Sequence, residues 1–121
     1  SLTGEDQQKV LDFARPSTAL YVGGMGARGK NFYNDICKAY GYEKEAVEIQ
    51  DLYLDGKKQE AAAKVPADWL LNSHLVGPKN FIKERLAAYK EAGVTVLQVN
   101  PIGPDAVQQI ELLRGLIDDI A

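Results

Sequence analysis

The strongest constraint lies in the last third of the chain, where two short apolar runs each precede a helix-forming segment. "HLVG" occupies His74–Gly77, and "VTVLQVN", β-branched and continuous, occupies Val94–Asn100. After the first, Pro78 stands where a first helical residue belongs, Phe81, Ile82, Leu86 and Tyr89 share one face, and Gly93 stops the helix. After the second, Gly103-Pro104 begins a helix whose Val107, Ile110, Leu113, Leu116, Ile117 and Ile120 cover more than half its circumference. Such breadth implies burial on several sides. Strand, helix, strand, helix is the repeat of a parallel α/β protein. Two such units cannot close a sheet, and an all-parallel sheet needs both faces covered. The expectation is an α/β fold of which this chain supplies a part.

Upstream the pattern is helical. Val10, Phe13, Ala14, Ser17, Leu20 and Tyr21 fall on one side at helical spacing, which predicts a helix over about Glu5–Val22, kinked near Pro16. A short strand over "TALYV" is the competing reading. Asn31–Tyr40 and Lys44–Leu54 read as helices stopped near Gly41 and Gly56; "KKQEAAAKV" is rich in strong helix formers, and Pro66 opens a short turn of "PADWLL". A single domain of residues 1–121 thus falls into a helical segment, 1–72, and two βα units, 73–121.

At 121 residues there is room for one domain and one modest core. A hydrophobic content of 45% and a charged content of 26% place the chain among soluble globular proteins. The net charge of -3, with both signs interspersed, leaves no basic block for a phosphate backbone, so no nucleic-acid partner is expected. Cys37 is the lone cysteine, which excludes an internal disulfide and favours a reducing, cytoplasmic compartment. No apolar run approaches the ~20 residues of a bilayer span, and no stretch has the pattern of a signal peptide.

"ALYVGGMGARGKNFYND", Ala19–Asp35, contains a G-x-G-x-x-G spacing at Gly24-Met25-Gly26-Ala27-Arg28-Gly29. A dinucleotide fingerprint needs a strand before it, a helix after it, and an acid at the end of a second strand roughly 20 residues on. Glu48 has that spacing, but "EKEAVEIQDLYL" is charged at helical spacing. The alternative is a glycine-rich break between helices, in which Gly23, Gly24 and Gly26 permit positive φ and close packing. His74, the only histidine, adjoins the first apolar run, where an acid–base and a structural role are both open. It has no cysteine or second histidine partner for zinc. Ser17, Ser73 and Cys37 lack a nucleophile signature. Glu45, Glu48 and Asp51 line one helix side as a solvated face. Trp69, Tyr21, Tyr33, Tyr40, Tyr53 and Tyr89 read as packing residues.

"RPSTALYVGGMGARGKNFYND", "GYEKEAVEIQDLYLDGKKQEAAAKVP" and "LVGPKNFIKERLAAYKEAGVTVLQV" together resemble the C-terminal part of luciferase-like oxidoreductases, over about Arg15–Val99. Within that superfamily they look most like the group that uses 8-hydroxy-5-deazaflavin, coenzyme F420. The resemblance implies a (β/α)8 TIM barrel of ~250 residues or more. This chain would be its C-terminal part, mostly helical with about two short parallel strands, "HLVG" the seventh and "VTVLQVN" the eighth. It further implies hydride transfer between the deazaflavin and a small organic substrate, or monooxygenation in FMN-dependent relatives.

Barrel sites lie at the C-terminal ends of strands, with phosphate sites often in the loops after strands seven and eight. Carried over, the cofactor-binding candidates are Gly77, Lys79 and Asn80 in "GPKN" and Asn100 and Gly103 in "NPIGPD". The glycines permit close backbone approach, Lys79 is a mobile cation, and the helix N-termini offer N–H groups to an anion. Plain helix-starting loops are the other reading. Arg28, Lys30 and Asn31 are the substrate-binding candidates, able to meet a carboxylate or the acidic tail of the coenzyme; the alternative is solvated charge at a helix entry. No catalytic residue and no metal site is assigned. Expected partners are a small-molecule substrate, the N-terminal part of the barrel and a second copy of the chain, because open strand edges and apolar faces invite self-association. Alone, the chain is expected to be inactive and not a compact monomer. A non-catalytic helical interaction module is the alternative function.

Overall fold

The computed structural model describes residues 4–121. The helices are α1 Gly4–Phe13, α2 Arg15–Ala19, α3 Phe32–Ala39, α4 Glu43–Leu54, α5 Lys58–Ala63, α6 Ala67–Ser73, α7 Lys79–Glu91 and α8 Ala106–Ile120, with a π-helical turn at Leu20–Gly24 between α2 and α3. No strand occurs among the described residues, and none of their helices is long and apolar enough to cross a membrane. The chain divides into two compact units. One is Leu11–His74; the other joins the residues up to Val10 with Leu75–Ala121.

In the Leu11–His74 unit, Pro16 cannot donate an amide hydrogen, and the helix breaks at Ala14. The Ala14 carbonyl instead accepts from the Thr18 amide at 3.1 Å and from the hydroxyls of Ser17 and Thr18 at 3.0 and 2.9 Å. Arg15 donates to the Asp12 carboxylate at 2.7 Å and to the Val65 carbonyl, which ties the break to the connection between α5 and α6. Beyond the break the helix runs on through Thr18–Val22 and ends in the π-turn, so the strand reading of "TALYV" falls away.

Val22, Cys37, Ile49, Val65 and Leu70 form the core of this unit, with alanines 14, 19, 46 and 61 buried between the helices. Each large apolar side chain buried this way stabilises by about 1.5–3 kcal/mol. "PADWLL" forms most of the short helix α6, with Pro66 as its N-cap and Trp69 stacked on Tyr42 at 5.9 Å. Small residues also bring the π-turn onto α4. A Cβ on Gly23 would stand 2.6 Å from the Tyr53 Cβ and 3.0 Å from the Ile49 carbonyl oxygen, and one on Gly24 would overlap the Tyr53 ring. Gly23, Gly24 and Gly26 serve close packing, as expected, but none of them has positive φ.

In the second unit, α7 begins one residue later than expected, because Pro78 is its N-cap rather than its first helical residue. Gly93, at φ +95, ends it as the sequence predicts. Lys90 donates to the Ile120 carbonyl at 2.7 Å, and Lys83 lies 3.8 Å from Asp119, so α8 is held alongside α7. The breadth of apolar residues on α8 does not translate into burial: none of its residues is buried, and Val107 and Ile110 are 71% and 49% exposed. His74–Gly77 and Val94–Asn100 were both expected to be strands, and neither forms a ladder. A strand exists only through pairing, and short strands without neighbours are marginal in water. Val96 is accordingly 82% exposed.

The glycine contacts give a direct test. Gly23→Ala is expected to cost about 1–3 kcal/mol, because the new methyl meets backbone and a Cβ that cannot rotate away. Gly115→Ala, in α8 with nothing within 4 Å of the new atom, is expected to stabilise by about 0.5–1 kcal/mol. Urea unfolding midpoints of the two variants measure both.

Candidate functional site

The segment between Gly24 and Phe32 is shaped by three buried amides. The π-turn leaves carbonyls at a helix end, where intrahelical donors run out. The Asn31 side chain donates to the carbonyls of Tyr21 and Val22, both at 3.0 Å, while its Oδ1 accepts from the Asn34 amide at 3.1 Å as the N-cap of α3. Asn34 donates to the carbonyls of Val22 at 3.0 Å and Ala46 at 2.9 Å, joining the π-turn, α3 and α4 in one network. Gln50 donates to the Gly26 carbonyl at 3.5 Å from within α4. All three amides are buried. Asn34 and Gln50 were missed by the sequence reading; the available signal was their position on the inward faces of amphipathic helices.

This geometry separates the three substrate-binding candidates. Asn31 is 1% exposed with both ends of its amide engaged inside the protein, so it orders the loop instead of meeting a ligand. Arg28 pairs with Asp51 at 2.8 Å, both exposed, a contact worth under about 1 kcal/mol and readily exchanged for another anion. Lys30 is exposed. The flanking segments are both helical, so the G-x-G-x-x-G spacing lacks the strand a dinucleotide cradle needs.

The cofactor-binding candidates lie in the other unit, in two loops ordered separately. Gln7 of α1 donates to the Val76 carbonyl at 2.9 Å, and a Cβ on the buried Gly77 would stand 2.7 Å from Phe81 Cδ1. Lys79 and Asn80 are exposed in the first turn of α7, which holds no acidic residue and whose N-cap contributes no side-chain bond. Free N–H groups beside an unopposed cation suit an anion. In the second loop, Gln109 donates to the Ile102 carbonyl at 2.7 Å, Gly103 sits at φ +98, and Asn100 is exposed. Asp105 stands at the entry of α8 and adds a negative charge there, so the entry of α7 is the better anion site.

His74 is structural in its contacts. The Leu70 carbonyl, which can only accept, lies 3.0 Å from Nδ1, and Ser73 Oγ lies 3.1 Å away, so the ring closes the end of α6. The Cys37 thiol is pushed up to about 12, first by burial and then by the charge of Glu45. It is fully buried and inert as a nucleophile. Among the described residues no group of three or more His, Cys, Asp or Glu is placed to hold a metal. Tyr21, Tyr33 and Tyr40 were read as packing residues, but they are 42%, 41% and 71% exposed.

Two measurements follow from this geometry. Asn34→Ala strips donors from two buried carbonyls and is expected to cost about 2–3 kcal/mol in urea unfolding. For Cys37, a folded value above the ordinary 9.0 means the native state holds the proton more tightly. Its stabilising contribution is intact below pH 9 and is lost as pH rises towards 12. Urea midpoints should decline above pH 9 by up to about 1.4 kcal/mol per unit, and Cys37→Ala should flatten that decline.

The sequence model of the luciferase-like monooxygenase family matches residues 2–96. A protein of Mycobacterium tuberculosis (strain ATCC 25618 / H37Rv) named "Putative coenzyme F420-dependent oxidoreductase Rv3520c" is 30% identical over 109 residues, covering 90% of this chain. The chain spans 31% of that relative's length. No solved structure matches significantly. The family match takes in the glycine loop, the buried amides and all of α7, and ends within the second apolar run. On that extent of similarity, the chain belongs to the luciferase-like monooxygenase family.

Proposed function

We propose that this chain is the C-terminal portion of a (β/α)8 barrel oxidoreductase that moves a hydride between coenzyme F420 and a small organic substrate. The observation that carries the reading is the 30% identity, over 90% of the chain, to a relative named as F420-dependent. In this reading His74–Gly77 and Val94–Asn100 are the seventh and eighth barrel strands, and the remainder of the barrel supplies their ladder partners. That accounts for a β-branched run left open to solvent. Flavin-dependent monooxygenation with FMN is the variant the family also allows. A cytoplasmic location fits the single buried thiol.

When bound, the deazaflavin supplies the ring carbon that takes or gives the hydride. This chain's residues bind and orient it. Lys79 and the first N–H groups of α7 hold an acidic group of the coenzyme, for which the acid-free first turn is suited. Asn80 adds a side-chain donor beside them. Asn100 and Gly103 form the lip of the second loop, with Gly103 admitting backbone close to the ligand. Arg28 and Lys30 are the cations available to a substrate carboxylate, Arg28 by exchange from Asp51. Taken alone, the 121 residues lack most of the barrel and are expected to be inactive.

The test begins with the coding sequence ahead of Ser1, expected to continue through roughly another 150–200 residues of barrel. The product of that longer frame should bind coenzyme F420. Lys79→Ala should weaken binding about tenfold or more, since one charge-assisted contact is worth about 1.5–3 kcal/mol, without altering the circular dichroism spectrum. A longer product that binds neither the deazaflavin nor FMN, or a frame with no barrel sequence ahead of Ser1, overturns the proposal.

A further inference from the structure

The loop that carries Lys79 and Asn80 is held by a residue far ahead of it in the chain. Val76 and Gly77 are buried, whereas Pro78, Lys79 and Asn80 are exposed. No ladder among the described residues supplies a donor to the Val76 carbonyl. Gln7, on α1 and 69 positions away, supplies one: its side-chain amide donates at 2.9 Å. The same amide nitrogen closes on Gly77, where an added Cβ would stand 3.1 Å from Nε2 and 2.7 Å from Phe81 Cδ1. Phe81 is in turn covered by the Arg85 guanidinium, 4.9 Å from the ring centroid. Downstream, the Pro78 carbonyl accepts from the Ile82 amide at 3.1 Å. The exposed tip is thus fixed on both sides, by Gln7 before it and by the first turn of α7 after it. All of these residues belong to one compact unit.

A buried carbonyl outside a ladder needs a donor, and a lysine or arginine could meet that need as well as a glutamine does. Glutamine differs in bringing no charge. Lys79 is the one charged residue of 76–82, and a neutral donor behind the loop leaves it so. The bond also removes freedom. A loop already held in one conformation loses less entropy when a ligand arrives, so its contacts count more fully towards affinity. We propose that Gln7 is a positioning residue: through the Val76 carbonyl it fixes the loop so that Lys79 and Asn80 meet the acidic group of the coenzyme in one arrangement. This rests on the hydride-transfer reading and adds to it a residue of α1, outside the two loops that reading uses.

Gln7→Met keeps the side-chain length and removes the donor. In the longer product that includes the sequence ahead of Ser1, it should weaken binding of coenzyme F420 (or of FMN, if the product takes that instead) about fivefold, the range of one neutral hydrogen bond, with circular dichroism unchanged. Exchange of the amides of residues 79–82 should quicken by a similar factor of about five. Lys79→Ala in the Gln7→Met background should cost at least about threefold less than in the unsubstituted product, because the lysine is already misplaced there. A bond that only stabilised the fold would leave the affinity of the folded protein unchanged. Affinity unmoved by Gln7→Met while Lys79→Ala still weakens it overturns this inference and leaves the hydride-transfer reading standing. So do effects of the two substitutions that simply multiply. Binding of neither the deazaflavin nor FMN by the unsubstituted product overturns both.

Discussion

A helix that ends inside a protein must find donors for its last carbonyls, and in this chain that requirement is met by two asparagine side chains. The π-turn at Leu20–Gly24 directs the Tyr21 and Val22 carbonyls into the interior, where Asn31 and Asn34 satisfy them. Leaving such groups unmade in a dry interior costs about 1–3 kcal/mol each. The same two residues start α3 and bind it to α4 through the Ala46 carbonyl. The course of the loop from Met25 to Lys30, the contact of Gly23 and Gly24 with Tyr53, and the position of the exposed rings all depend on this arrangement.

The consequence for function is a separation between what the glycine loop suggests and what it does. Gly23 and Gly24 serve a backbone-to-helix contact and Gly26 a close approach to Lys30 within the loop, its asparagine is consumed internally, and its arginine is paired. The entry of α7 differs from the loop in its electrostatics: Lys79 stands in a first turn that holds no acidic residue. The two units also differ in completeness. Leu11–His74 fills its own interior, whereas the other leaves Val94, Val96 and most of α8 uncovered.

Helix positions were largely legible because helices are written in local periodicity and in the residues that end them. The break at Pro16 and the stop at Gly93 were read correctly, since proline lacks an amide hydrogen and glycine tolerates positive φ. Pro78 was misplaced by one position, whereas Pro66 opens the short helix α6 within the segment read as helical. The width of the apolar stripe on α8 was read as burial, but a stripe records what a helix is able to cover, not what covers it. The candidate site was less legible: periodicity gives an asparagine no direction, and Asn31 looked like a ligand contact until its partners were in view.

The sequence by itself determined the helical segments, the breaks between them, the lone thiol and the likeness to luciferase-like oxidoreductases, which the family match bears out. All of these are carried by neighbours along the chain or by the order of residues within a motif. Only the tertiary structure decided that Gly23 and Gly24 are contacts with Tyr53, that Asn31 and Asn34 face inward, that Arg28 meets Asp51, and that the two apolar runs form no ladder. Each of those depends on a partner distant in sequence: Ala46 lies twelve positions beyond Asn34 and Asp51 twenty-three beyond Arg28. A strand goes further still, because its backbone bonds exist only when another strand lies beside it.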